Sequence, residues 1–288
     1  MITRCLALAA VLAVSLALGL NGCGGSGSPI MTREARVDEY RGDGHGGTKP
    51  LLETFGLSGP GLSTQALPTP LVIGEVPLVG RVPARNVNWY RVPAVGTPRR
   101  LLVTLQPTAD EDSDLYLLSA DGETYNPKAA SLGYSNRLPT GGDDVDGYAP
   151  DWVAFDTVAT AGRQAAQVAV CGVATGATPK HYRVECDPVW GLTVNGPSKT
   201  GSLAQHDSHW YRFLGQQGVH YDVMLVANNG DPDTYIYEGD AKHFIAKDVQ
   251  VGSGTSVGFT ASVSGFYYVR VYGYKATSYQ IGIVSSGS

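Results

Sequence analysis

Little of this sequence is charged: Asp, Glu, Lys and Arg make up 16% of its 288 residues, and acids outnumber bases by 26 to 21. Phosphate binding needs a basic surface that displaces counterions, so nucleic acid is excluded as a partner. No segment longer than a few turns carries the helical period, which excludes a helical bundle. Past residue 20 no apolar run is long enough to span a bilayer as a helix. The metalloprotease signature His-Glu-x-x-His is missing too. His206-Asp207-Ser208-His209 holds the residue types of a nucleophilic triad, but neighbours along a strand point to opposite faces, so it reads as a turn before Trp210. The expectation is a protein that is not an enzyme.

Cysteine is also rare, with four residues. Cys5 lies in an apolar run from Cys5 to Leu20 preceded by one basic residue, Arg4, the order of an export signal covering residues 1–22. Leu20-Asn21-Gly22-Cys23 resembles the bacterial lipobox, which implies acylation of Cys23 and a mature chain that begins there. Each buried methylene of such an anchor contributes about 0.8 kcal/mol to membrane attachment. Gly24 follows Cys23 in place of the aspartate that commonly retains lipoproteins in the inner membrane, so the resemblance implies the outer membrane of a host that has two. Loss of Arg4 leaves 20 basic residues against 26 acidic ones. Residues 23–70, rich in Gly, Ser, Thr and Pro, read as a flexible tether reaching on the order of 40 Å.

What is abundant is Gly, with 37 residues, Pro with 17 and Tyr with 16, the composition of turn-rich β structure. The chain also repeats itself. Trp89-Tyr90-Arg91, Asp112-Ser113-Asp114-Leu115-Tyr116, Val168-Ala169-Val170 and Tyr182-Arg183-Val184 return in order as Trp210-Tyr211-Arg212, Asp231-Pro232-Asp233-Thr234-Tyr235, Val269-Arg270-Val271 and Tyr279-Gln280-Ile281. The offset falls from 121 residues at the tryptophans to 97 at the last tyrosines, so the second copy is the first with shorter loops. Alternating apolar residues between Gly, Pro and Asp predict all-β architecture: two tandem antiparallel, jelly-roll-like β-sandwiches at 71–187 and 188–288, with Pro188 and Trp190 in a short joint.

Each copy resembles the bacterial pre-peptidase C-terminal domain family, related in fold to clostridial collagen-binding domains. The resemblance rests on the Trp-Tyr-Arg strands, on the Asp-x-Asp-hydrophobic-Tyr strands at Asp112 to Leu117 and Asp231 to Ile236, and on Gly265-Phe266-Tyr267-Tyr268-Val269-Arg270-Val271. It implies a non-catalytic module at the cell envelope that binds an extracellular polysaccharide or protein, or a spacer in an envelope or protease system.

Four sets of residues carry expectations. Tyr268, Arg270, Tyr272 and Tyr274 alternate with Val269 and Val271, and form either a ligand-binding row or a layer packed under a loop or on the other copy. Asp112 with Asp114, and Asp231 with Asp233, place paired carboxylates on one strand face; they could begin calcium sites, as collagen-binding relatives imply, or hold loop amides. No other cofactor is indicated. The acidic insert at 142–147 fails as an EF-hand loop, because Gly142 and Val153 fall where oxygen ligands belong. Cys171 and Cys186, on the last two strands of the first copy, either pair across a ladder, worth roughly 3 kcal/mol, or remain buried thiols. Mass measurement of the mature protein should find Cys23 at its amino terminus carrying fatty chains; an unacylated terminus would remove the anchor.

Overall fold

The computed structural model describes residues 68–83, 86–108, 113–119, 131–135, 149–157, 164–172, 179–239, 243–252 and 254–286. Cys23, nearly all of the tether, Asp112 and the insert at 142–147 lie outside them. No helix of the described residues is long and apolar enough to cross a membrane.

The architecture is all β. In the first copy the strands are β1 (Thr69–Pro70), β2 (Leu78–Val82), β3 (Val87–Pro93), β4 (Arg100–Pro107), β5 (Ser113–Ser119), β6 (Ser131–Ser135), β7 (Asp151–Asp156), β8 (Gln164–Gly172) and β9 (Lys180–Gly191). In the second they are β10 (Lys199–Leu203), β11 (Ser208–Gly215), β12 (His220–Ala227), β13 (Asp231–Glu238), β14 (His243–Asp248), β15 (Gly254–Thr260), β16 (Gly265–Lys275) and β17 (Thr277–Ser286). The orders β3-β8-β5-β6 and β2-β9-β4-β7 reappear as β11-β16-β13-β14 and β10-β17-β12-β15. Each copy is therefore a sandwich of two four-stranded layers, with β1 added to the first.

Alternation fills each sandwich. Leu101, Val103 and Leu105 of β4 meet Val168 and Val170 of β8 and Tyr182 and Val184 of β9 in the first core. Phe213, Val223, Ile236, Val269, Val271 and Ile281 do the same in the second. The joint expected at Pro188 and Trp190 is not a loop. Strand β9 runs unbroken through it, pairing with β4 as far as Pro188 and then, parallel, with β11 from Val189 to Gly191.

One strand thus ties the two copies into a continuous sheet, and the outer faces of adjoining layers close on each other. Leu102 and Trp152 of the first copy cluster with Trp210, Tyr235, Tyr237, Tyr268 and Tyr272 of the second. The rings of Trp152 and Tyr237 lie 4.4 Å apart and those of Trp152 and Trp210 5.4 Å, within the range of favourable aromatic pairs. The Trp210 indole donates to Thr104 Oγ1 at 3.2 Å, so its polar atom is satisfied inside the seam.

The expected Cys171–Cys186 disulfide is not formed: both thiols are free and buried. Strands β8 and β9 follow one another in sequence but lie in opposite layers, so no ladder joins them. Cys186 enters the sandwich core, whereas Cys171 alternates with the core residues Val168 and Val170 and faces the other way. Burial pushes both thiols up, which keeps them protonated and unreactive.

Because Trp152 joins the copies through aromatic packing, Trp152→Ala should cost about 3–5 kcal/mol. It should also split one calorimetric unfolding transition into two as the sandwiches melt separately; a single transition at an unchanged midpoint would mean that the seam does not couple them.

Candidate functional site

The row read as either a binding face or a packed layer lies mostly in the seam, packed on the other copy. Tyr267, Val269 and Val271 point into the second core, and the alternate residues Tyr268, Arg270 and Tyr272 point at the first copy and are fully buried. Three of the four residues assigned to ligand binding are thus packed on the other copy. Tyr274, past the end of the seam, is 44% exposed.

Arg270 is the charged centre of this layer. Its Nε and Nη2 donate to Ser208 Oγ at 3.0 and 2.9 Å, and Nη1 donates to Gln106 Oε1 of the first copy at 3.3 Å. The guanidinium lies 5.1 Å from the Tyr272 ring centre and 5.6 Å from that of Trp210. No carboxylate is hydrogen-bonded to it in these contacts. The compensating charge stands in a group nearby: Glu185 and Asp187 on the outer face of β9, and Asp207 from the turn before β11, have carboxylate oxygens within 4.8 Å of one another, all buried. That turn places His206 at φ 67°, with its Nδ1 at 2.7 Å from the Tyr272 hydroxyl, and the Ser208 amide donates to Asp207 Oδ1 at 2.9 Å.

Burial pushes the Glu185 carboxyl up to about 8, Arg270 pulls it down, and Asp207 raises it again. Asp187 and Asp207 are raised as well, chiefly by burial. Both oxygens of Asp187 and Oε2 of Glu185 are buried without a hydrogen-bond partner. Orphaned acceptors of this kind fit a cation better than they fit a dry seam. Glu185, Asp187 and Asp207 would hold it, and a divalent ion such as calcium would supply the positive charge that three carboxylates leave uncompensated beside one guanidinium. Nothing in the sequence flagged the cluster, since Asp207 sits 20 residues past Asp187 and on the other copy; only the alternation of β9, with Glu185 and Asp187 out of phase with core residues Val184 and Cys186, could have pointed to it.

The aspartate pairs, read as beginnings of calcium sites or as holders of loop amides, lie apart in the two copies. Asp114 is buried on the outer face of the β1-β3-β8-β5-β6 layer, opposite Cys171. Asp231 and Asp233 stay together in the second copy, where Asp231 Oδ1 accepts from the Gly252 amide at 3.4 Å and Asp233 Oδ2 from the Tyr235 hydroxyl at 3.3 Å. They line an open cleft of about 310 Å³ with Lys247 and Tyr274, rimmed by the exposed Val249 and Val251. Three residues from two separate predictions, Asp231, Asp233 and Tyr274, therefore meet in one place.

No family model matches the chain, and no curated protein matches it. Among solved structures it is similar to the pre-peptidase C-terminal domain of a collagenase from Bacillus anthracis, at 21% identity and a TM-score of 0.28, over 33% of this chain and 91% of that one. It is similar to PliG, a periplasmic lysozyme inhibitor from Aeromonas hydrophila, at 12% identity and a TM-score of 0.28, over 34% and 97%. A third is CorA, a surface-associated copper-binding protein of Methylomicrobium album BG8, at 10% identity and a TM-score of 0.28, over 33% and 96%.

The raised Glu185 carboxyl carries a sign. Folding takes up a proton that the unfolded chain releases above its ordinary value near 4.5, so this contribution to stability is complete below pH 4.5 and is lost as pH rises towards 8. The thermal midpoint should therefore fall from pH 5 to 8, and Glu185→Gln should flatten the fall. Millimolar calcium should restore the midpoint at pH 8 in the unaltered protein and not in an Asp187→Asn variant; no restoration would mean that the cluster stays protonated and holds no cation.

Proposed function

We propose that the chain is an exported, lipid-anchored protein of the cell envelope, whose tandem pre-peptidase-type sandwiches act by binding, without catalysis, and capture an extracellular polymer or protein through the second copy. The observation that carries this reading is the cleft at Asp231, Asp233, Lys247 and Tyr274. It offers two carboxylates, an ammonium and an exposed phenol ring at one opening, the mixture of apolar area and few placed polar groups by which ligand sites work. The export signal and lipobox at residues 1–23 support an envelope location, and the outer membrane where there are two.

The seam favours a second reading, in which the pair is a spacer or assembly part. A strand shared by both copies and a common aromatic cluster would suit a stiff connector. The two readings part on one experiment. Lys247 and Tyr274 are exposed, so Lys247→Ala with Tyr274→Ala should leave the fold intact and weaken retention on envelope polysaccharide or on a surface protein about tenfold. Equal retention, together with a membrane partner that co-purifies with either form, would favour the spacer.

A further inference from the structure

The repeat allows one surface to be compared with its own counterpart. In the first copy, Tyr90 and Tyr182 share a hydrogen bond at 2.7 Å inside the sandwich. The second copy holds the same pair, Tyr211 and Tyr279, at 2.9 Å. Each pair rests on a glycine of the neighbouring strand: a Cβ on Gly80 would come within 2.6 Å of the Tyr182 ring, and one on Gly201 within 2.5 Å of the Tyr279 ring. The registers agree, with Gly80 opposite Tyr182 and Gly201 opposite Tyr279, and with Thr69 parallel to Tyr90 where Trp190 is parallel to Tyr211. This frame is a structural element common to both copies.

What covers the frame is not common. In the first copy the tyrosine pair is capped by Asn88, whose Nδ2 is used up in donating to Tyr182 Oη at 2.6 Å and to the Arg81 carbonyl at 2.7 Å. Thr69, Pro77, Leu78 and Val79 stand around it. At the corresponding positions the second copy has His209, Trp190, Ser198, Lys199 and Thr200, which with Tyr211 line a cleft of about 380 Å³. Where the first copy has an amide, a hydroxyl, a proline and two aliphatic residues, the second has an imidazole, an indole, an ammonium and two hydroxyls, on the same support. Packing alone does not require that exchange, since the first copy folds on the same frame without it.

The hydrogen bonds orient the imidazole. His209 Nδ1 lies 2.6 Å from the Tyr279 hydroxyl. If Nδ1 accepts from Tyr279, then Tyr279 accepts from Tyr211 and both hydroxyl protons are used; in the reverse sense one of the two hydroxyl protons has no acceptor among these bonds. The first arrangement leaves His209 with an Nε2–H donor. Lys199 brings an ammonium to the same cleft. The Trp190 indole packs against the His209 ring at 4.8 Å and the Tyr211 ring at 5.6 Å, and Trp190 is the one tryptophan of the four that is not buried.

We propose that this cleft is a second ligand site, separate from the one at Asp231, and that it takes a carboxylated sugar unit of an extracellular polysaccharide. The indole offers a flat apolar face to the C–H side of a pyranose, His209 offers a hydrogen bond to one of its hydroxyls, and Lys199, on the same inner side of its strand as Gly201, faces its carboxylate. The volume lies at the low end of ligand pockets, which suits one or two rings of a polymer and is small against the surface that a protein partner would bury.

Tetramers of galacturonate, mannuronate and glucuronate, with a neutral galactose tetramer for comparison, provide the test, read by titration calorimetry on the mature full-length protein. The substitutions are those the first copy already carries, so folding is expected to survive them: Trp190→Thr, Lys199→Leu and His209→Asn. At least one acidic tetramer should bind, Trp190→Thr and His209→Asn should each weaken it about tenfold, and Lys199→Leu should abolish the preference over the neutral tetramer. Absence of binding by all three acidic tetramers, or binding indifferent to Trp190→Thr, overturns the assignment. So does loss of a protein partner in Trp190→Thr without any oligosaccharide binding. Polymer retention that depends on Tyr274 but not on Trp190 would remove this site and leave the binding reading itself in place.

Discussion

The structure depends on one contact, the closure of the first copy's β9-β4-β7 face onto the second copy's β11-β16-β13 face. A sheet face rich in aromatic side chains does not face water, and here the outer side of the second copy's layer carries Trp210, Tyr235, Tyr237, Tyr268 and Tyr272. Trp152, Trp210 and Tyr237 supply the area. Strand β9 supplies the alignment, because a chain that leaves one sheet and enters the next without a loop fixes the angle at which the two meet. Neither copy would keep its surface without the other.

Closing that seam also buries charge, and most of its chemistry follows from how the charge is handled. A guanidinium that has left water needs donors satisfied and a counter-charge. Arg270 finds hydroxyl and amide acceptors on both copies, two aromatic faces, and three carboxylates in its field. Those carboxylates exceed it in number, so the seam is best matched when some of them carry protons or share a cation. Apolar residues of the same size would avoid the problem. What the polar set adds is register: Arg270 reaches Gln106, and Trp210 reaches Thr104, only when the copies meet in one alignment.

Much of this was legible in the chain. The repeat and the strict alternation of Tyr267 to Tyr272 led to two sandwiches and to the correct inner face of β16. Alternation says which residues share a face, however, and not what lies against it, so Tyr268, Arg270 and Tyr272 read equally well as a binding row or as a packed layer. The cysteines failed for a topological reason: β8 and β9 are consecutive, and adjacency in sequence suggested a ladder where the chain in fact crosses between layers. Short strands such as β2 and β10 gave weak signals because their exposed positions, as in Leu78, Val79 and Gly80, do not alternate cleanly in polarity. The seam carboxylates and the Trp190 cleft were hidden because each joins residues from strands that only the fold brings together.

The face that the second copy leaves open differs from the one that the first copy buries. The copies meet head to tail, so the second copy presents outward the layer β10-β17-β12-β15, the counterpart of the layer that the first copy buries in the seam. A head-to-tail contact does not close on itself and would recruit a further sandwich if the open end matched the buried one. It does not match. Where β7 carries Trp152 and Ala154 the equivalent β15 positions are Ser256 and Gly258, and where β9 carries Glu185 the equivalent β17 position is Gly282. Leu102 is answered by Asp222, and although Met224 and Val226 are 42% and 59% exposed, no large aromatic residue stands beside them to fill an opposing surface. Trp152, Ala154, Leu102 and Glu185 of the seam thus answer to Ser256, Gly258, Asp222 and Gly282 on the open layer, which lacks the aromatic anchor that holds the first copy to the second.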